Sequence, residues 1–122
     1  MPNYCYNEVT LLTEGDRLNE ILIFVKGTDA EGKQLDFDFN KIVPMPASEN
    51  ENWYEWRWEN WGTKWNASDI CVDDTIITFE TAWNPPCPVI QKLSEIFPDV
   101  PIVHYYDEPG CNILGRDYYN SR

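Results

Sequence analysis

Two amphipathic helical patterns, each lying between segments of strand character, constrain the fold of this chain most. Their apolar residues recur at helical spacing: Leu18, Ile21, Leu22 and Val25 in the first pattern, and Val89, Ile90, Leu93, Ile96 and Phe97 in the second. Asp16 and Asn84 are favourable N-caps, and Pro85 suits a first helical position. Gly27 and Pro98 stand where the two helices should end. The patterns therefore predict two helices that each bury one face in a common core.

The segments around these helices have strand character. They cover residues 3–12, 65–72, 75–83, 102–106 and 112–119. Residues 65–72 and 75–83 flank an Asp73-Asp74 turn, which predicts a β-hairpin. The resulting order is the βαββαβ pattern of a ferredoxin-like α+β fold, with a further C-terminal strand or hairpin. A chain of 122 residues fits one such domain, spanning residues 1–122.

An aromatic segment interrupts this pattern and holds five of the six tryptophans between Trp53 and Trp65. Tyr54, Trp58, Trp61 and Trp65 lie at i, i+4, i+7 and i+11, which predicts an inserted short helix ended by Gly62 with this stripe on the sheet. Before it, residues 27–34 and 47–52 are predicted to be loops, and residues 35–43 an extended segment. The predicted core joins residues of strands, helices and this segment: Val9, Leu11, Leu18, Leu22, Val25, Trp61, Trp65, Ile77, Phe79, Val89, Leu93, Ile96 and Val103.

The charge of the chain restricts its partners. A formal net charge of −12 disfavours binding to a phosphate backbone. The acidic surface is interpreted first as a solubilising surface, and as an alternative it meets a basic protein partner or imitates nucleic acid. No apolar run approaches the length of a membrane span, and residues 1–5 lack signal-peptide character, so we expect a cytoplasmic protein. A monomer or a weak dimer is expected.

The distribution of chemically reactive residues predicts no metal, no cofactor and no catalytic site. Cys5, Cys71, Cys87 and Cys111 are far apart and His104 is the single histidine, whereas metal sites usually bring two ligands close in sequence. We expect the cysteines to be buried free thiols. Two carboxylate groups lack the spacing of a calcium loop: Asp69, Asp73 and Asp74, and Glu14 with Asp16. No phosphate-binding glycine motif is present.

The candidate binding residues lie at the end of the aromatic segment and just after the hairpin. They are Asn60, Trp61, Thr63, Lys64, Trp65, Asn66 and Trp83. The combination of one cation, amide side chains and aromatic faces suits a planar or anionic small molecule. The alternative is that Trp61 and Trp65 pack the core and the amides satisfy backbone groups, and we favour this alternative for the tryptophans.

Several motifs together identify a family resemblance. In order along the chain they are MPNYCYN at residue 1, FDFNKIVPMP at 37, ENWGTKWNA at 59, FETAWNPP at 79 and EPG at 108. They resemble the YubB-type proteins with a ferredoxin-like domain, which occur in phages, conjugative plasmids and other mobile elements. Tyr4 replaces a tryptophan common in that family, and residues 111–115 differ from its usual aromatic sequence. The resemblance implies a small intracellular α+β protein and assigns no activity.

Three functions from different classes fit these observations. The first is a non-enzymatic protein-interaction module of a mobile element, acting on a host or phage protein such as a defence component. The second is a binder of a small, nucleotide-like ligand that uses Lys64 and the tryptophans. The third is an enzyme centred on His104 or on carboxylates. We prefer them in that order.

Overall fold

The computed structural model describes residues 3–120, and these contain one five-stranded antiparallel sheet. Its strands, in spatial order, are β4 (Ser68–Asp73), β5 (Ile76–Ala82), β1 (Tyr4–Leu11), β6 (Ile102–Glu108) and β7 (Ile113–Tyr119). Helices α1 (Gly15–Phe24) and α4 (Cys87–Ile96) are the two predicted from their apolar stripes. The fold is therefore ferredoxin-like, as the sequence predicts, and β7 extends the sheet beside β6.

The insertion between α1 and β4 contains more regular structure than the sequence predicts. Its elements are β2 (Gly27–Thr28), β3 (Gln34–Leu35), α2 (Phe39–Ile42), a 3-10 helix (Ala47–Asn52) and α3 (Trp53–Asn60). The loop predicted over residues 27–34 is a small hairpin of β2 and β3, and the loop predicted over 47–52 is the 3-10 helix. The extended segment predicted over 35–43 is confirmed at Leu35, which lies in β3, and is wrong over Phe39–Ile42, which form α2. The Asp38 carboxylate accepts a hydrogen bond from the Asn40 backbone N–H and so starts α2.

Both main helices begin at other residues than predicted. Glu14 is the N-cap of α1, and Asp16 lies in its first turn, where its charge faces the positive end of the helix. Pro86 is the N-cap of α4, which begins at Cys87. Asn84 instead lies in the turn after β5, where its carbonyl accepts a hydrogen bond from the Thr81 hydroxyl.

The core lies between the helices and one face of the sheet. Most predicted core residues are buried. Phe37 and Phe39, whose spacing predicts inward packing, are buried as well: Phe37 stacks on Phe79, and Phe39 packs edge-on against it. Three predicted residues are only half-buried: Leu22, Ile96 and Val103. Trp65 is wrong as a core residue, because 39% of its surface is exposed.

Within residues 3–120, no helix has the length and hydropathy needed to cross a membrane.

Candidate functional site

Trp61 is a core residue and not part of a binding surface. Its ring is fully buried and packs edge-on against Phe39 and Trp56, with ring centroids 5.5 and 5.8 Å apart. Its indole N–H donates to the Val43 carbonyl at 2.9 Å, which satisfies the one polar group of the buried side chain. The predicted helical stripe is consequently wrong: Trp56 packs on the core, while Tyr54 is 49% exposed.

Three other candidate residues also serve the fold. The buried Thr63 hydroxyl donates to the Ala82 carbonyl at 2.7 Å, and the Asn60 amide donates to the Trp56 carbonyl at 2.9 Å. Asn66 joins the insertion to the sheet, because its oxygen accepts from the Phe39 and Ala67 N–H groups and its nitrogen donates to Asp38. These contacts use the Asn60 nitrogen, the Thr63 hydroxyl and both the oxygen and the nitrogen of the Asn66 amide within the fold.

Lys64 and Trp83 are the candidate residues that the fold brings together at the surface. With Tyr54, Trp58, Asn84 and Cys111 they line a cleft of about 470 Å³. The Lys64 ammonium lies 4.5 Å from the centroid of the exposed Trp65 ring. Trp83 has a left-handed backbone, with φ of 70°, and its N–H donates to the Asn3 carbonyl. This aromatic cleft, defined by Tyr54, Trp58, Lys64 and Trp83, combines one cation with aromatic side chains and contains two of the seven candidate residues.

Arg57 is a structural cation of this segment that the sequence did not single out. Its guanidinium lies over the rings of Trp53 and Trp61, at 5.1 and 4.9 Å from their centroids. It also donates to the Lys64 carbonyl at 3.2 Å. Burial lowers the pKa of Arg57, and the aromatic faces on both sides compensate part of its lost hydration. Arg57 thereby holds the segment that carries Lys64.

A second polar cluster lies on the helix-facing side of the sheet. It consists of Cys87, His104 and Asp117, whose potential ligand atoms all lie within 4.8 Å of one another. His104 and Asp117 are register partners on β6 and β7, and Cys87 is the first residue of α4. Sequence reasoning weighed His104 alone and missed the other two. The turn predicted at residues 108–110 is the signal that could have placed Asp117 opposite His104.

A buried chain of hydrogen bonds fixes the orientation of His104. The Asn7 amide nitrogen donates to the Cys5 carbonyl and to the Thr81 hydroxyl, at 3.1 and 2.9 Å. Its oxygen therefore faces His104, whose Nε2 lies 2.9 Å away. An amide oxygen can only accept, so Nε2 carries the proton and Nδ1 keeps its lone pair. His104 is fully buried, and among residues 3–120 its Nδ1 has no hydrogen-bond partner.

The electrostatics of this cluster disfavour nucleophilic catalysis by Cys87. Burial, and then the negative charge of Asp117, raise the pKa of the Cys87 thiol to about 11. Burial lowers the pKa of His104 to about 4. A neutral thiol beside a neutral imidazole lacks the thiolate that attacks substrates in Cys–His enzymes. Among the described residues, no cluster of three potential metal ligands includes the carboxylates considered from the sequence, which are Asp69, Asp73, Asp74, Glu14 and Asp16.

The remaining thiols have varied surroundings. All four cysteines are free, as expected, but only Cys5 is buried. Cys71 and Cys111 are exposed, so the prediction of buried thiols is wrong for these two.

The opposite face of the sheet is rich in tyrosine and exposed. We call it the open face, and its large side chains are Tyr4, Tyr6, Tyr105, Leu114, Arg116 and Tyr118. They alternate along the strands with the residues that point to the core. Leu114 and Tyr118 are 68% and 61% exposed, and Tyr6 is 40% exposed.

Comparisons with known proteins agree with this fold. Residues 60–122 match the family model described as a ferredoxin-like domain in Api92-like protein. The crystal structure of a protein api92 from Yersinia pseudotuberculosis is similar with a TM-score of 0.60 and 23% sequence identity. The similarity covers 71% of this chain and 37% of that one, so this chain spans much less than the length of that protein. At such identity the likeness shows the fold alone.

No curated protein matches the chain. The family match extends over more than half of the sequence and includes strands β4 to β7, helix α4, Lys64 and the Cys87–His104–Asp117 cluster. The chain belongs to the family of Api92-like proteins that have a ferredoxin-like domain.

Proposed function

We propose that this chain is a protein-interaction module whose open face binds a basic segment of a partner protein. The observation that carries the proposal is the position of Tyr6 on β1. In the strand register it lies directly between Glu80 on β5 and Asp107 on β6. An exposed aromatic ring between two carboxylates offers a cation both a π face and acidic hydrogen-bond acceptors.

Further contacts strengthen the acidic character of this position. The Tyr6 hydroxyl donates to a Glu8 carboxylate oxygen at 3.2 Å, and Tyr105 lies edge-on to Tyr6 at 6.3 Å. Burial, and then Glu8, raise the pKa of Tyr6, which keeps its hydroxyl a donor. Arg116, whose guanidinium lies 5.5 Å from the Tyr105 ring centroid, already places a cation on an aromatic ring of this face. An arginine or lysine of a partner would meet the same kind of surface beside Tyr6.

The composition of the open face supports a protein as the occupant. Tyrosine is enriched in protein interfaces because its ring contributes apolar area and its hydroxyl contributes a hydrogen bond. The net charge of −12 would accelerate encounter with a basic protein and oppose nucleic acid. The resemblance to YubB-type proteins supports a cytoplasmic role in a mobile element, with a host protein such as a defence component as the partner.

The test is capture of partners from a bacterial lysate by the wild-type chain and by a double variant, Glu80→Gln with Asp107→Asn. The matched control is Glu51→Gln with Glu55→Gln, which removes the same charge from exposed positions of the insertion. We expect one protein to bind the wild type and the control, and to be lost from the first variant and at high salt. The captured protein is then purified and titrated against all three.

Two results would overturn the proposal. One is equal binding by the Glu80→Gln, Asp107→Asn variant and the wild type, which would separate the partner from the open face. The other is nuclease-sensitive capture, which would make nucleic acid the occupant.

The aromatic cleft favours a second candidate, a planar anionic small ligand. Trp58 and Trp83 supply aromatic walls, and Lys64 supplies one cation. We expect a nucleotide to raise the melting temperature of the wild type and to lose this effect in Lys64→Ala, with Lys33→Ala as a control in an exposed turn. A nucleotide effect that persists in Lys64→Ala would exclude this cleft.

A further inference from the structure

We infer that Cys87, His104 and Asp117 form a zinc site with one coordination position left for water. The site lies on the helix-facing side of the sheet, opposite the open face, so it is independent of the proposed partner surface. It joins three elements, β6, β7 and the first turn of α4. A sulfur, a ring nitrogen and a carboxylate oxygen are the ligand types that zinc accepts, and three protein ligands with water is a known zinc arrangement.

The distances fit a site that closes slightly around a metal. Zinc bonds of about 2.0–2.3 Å in tetrahedral geometry place ligand atoms roughly 3.3–3.6 Å apart. The Cys87 sulfur lies 3.9 Å from an Asp117 carboxylate oxygen, and the largest separation in the cluster is below 4.8 Å. Cys87 and Asp117 are half-buried, so these two side chains have room to approach and a metal has an entry path.

The strongest argument is the orphaned nitrogen of His104. Asn7 holds the proton on Nε2, so Nδ1 presents a buried lone pair that accepts no hydrogen bond from the described part of the chain. A buried acceptor without a partner destabilises a fold unless something binds it. Histidines that bind metals are typically oriented in this way, with one nitrogen donating to an oxygen and the other facing the metal.

The position of Cys87 at the start of α4 favours the thiolate form that would bind a metal. It is the first residue of α4, where backbone N–H groups and the helix dipole favour negative charge. A bound cation would add to this effect and convert the thiol to the thiolate that coordinates it. The expectation of no metal rested on ligand spacing along the chain, which says nothing about residues that strand pairing brings together.

The test uses the full chain, reduced and freed of metal by a chelator, titrated with cobalt and then with zinc. Cobalt reports its ligands, since a thiolate gives a charge-transfer band and a tetrahedral site gives visible absorption. We expect one equivalent to bind with both signals, and zinc to displace it and raise the melting temperature. In nitrogen NMR, His104 should show a proton on Nε2 before zinc and a shift of Nδ1 after it.

Matched variants locate the site. Cys87→Ser should abolish the charge-transfer band, and Asp117→Asn should weaken binding at least tenfold. Cys71→Ser and Cys111→Ser change exposed cysteines elsewhere and should leave the titration unchanged.

Three results would overturn the inference: no binding by the folded wild type, a band that survives in Cys87→Ser, or a band lost in either control. If Cys87→Ser fails to fold, Asp117→Asn and the Nδ1 shift decide the question. A negative outcome here leaves the open-face proposal intact, because that proposal is tested with other variants.

Discussion

Trp61 and Trp65 are four residues apart, yet they contribute to the molecule in different ways. Trp61 is fully buried among Phe39, Trp56 and the Arg57 guanidinium. Trp65 follows the turn at Gly62 and contacts the Lys64 ammonium at the surface. Side-chain type is the same in both positions, so burial alone separates a core residue from a surface one.

Truncation of the two rings should therefore have unequal effects on stability. Trp61→Ala should lower the free energy of unfolding by about 3–5 kcal/mol, because it leaves a large cavity and orphans the Val43 carbonyl. Trp65→Ala should lower it by about 1 kcal/mol or less, since the ring is partly solvated. Urea unfolding followed by circular dichroism measures both.

Trp61→Phe provides the control for Trp61→Ala. It keeps most of the ring and removes the indole donor, so its effect should be smaller than that of the alanine variant. A Trp65→Ala variant as unstable as Trp61→Ala would contradict the assignment of Trp65 to the surface.

At the scale of elements, the turn after α3 packs on the start of α4. Gly62 has a left-handed backbone, with φ of 79°, and a Cβ there would lie 2.9 Å from the Pro88 ring and 3.2 Å from the Pro85 carbonyl. This close approach sets the position of Thr63 and Lys64 relative to the segment after β5. The aromatic cleft thus depends on the contact between two elements that are distant in sequence.

Gly62→Ala should be clearly more destabilising than Gly32→Ala. Gly32 has a similar φ of 84°, but a Cβ there would meet nothing within 4 Å. Gly32→Ala measures the backbone strain alone, about 1 kcal/mol, and Gly62→Ala adds the clash with Pro88. The difference in unfolding free energy between the two variants should be at least about 1 kcal/mol. Equal values would contradict the prediction, because they would show that α4 shifts away from a Cβ at residue 62 without a cost in stability.

For the whole molecule, the net charge of −12 creates self-repulsion in the compact state. Added sodium chloride screens this repulsion, since the Debye length falls from about 30 Å at 0.01 M to about 10 Å at 0.1 M. The melting temperature should rise over this range, and the Glu51→Gln, Glu55→Gln control variant should show a smaller rise. Calorimetry measures both, and a melting temperature that falls with salt would contradict the prediction.

Local patterns in the sequence predict the ferredoxin-like order of elements well. The stripes of α1 and α4 and the alternation in β5 depend on residues that are close together in the chain, and the structure confirms them. Helix starts and the insertion are less predictable. There, single side-chain contacts such as Asp38 with Asn40 decide the structure, and the competing patterns differ little in local energy.

The aromatic cleft and the Cys87–His104–Asp117 cluster depend more on the tertiary structure than the secondary-structure elements do. The sequence singled out Lys64 and Trp83, but only the packing of α3 near the turn after β5 gives them Tyr54 and Trp58 as neighbours. Sequence reasoning considered His104 without Cys87 and Asp117. The pairing of β6 with β7 places Asp117 beside His104, and the start of α4 places Cys87 there. The sequence by itself determined the two main helices and the strands of the five-stranded sheet, because their periodicity is local. The tertiary structure alone decided which side chains meet, because strand register and helix packing are long-range.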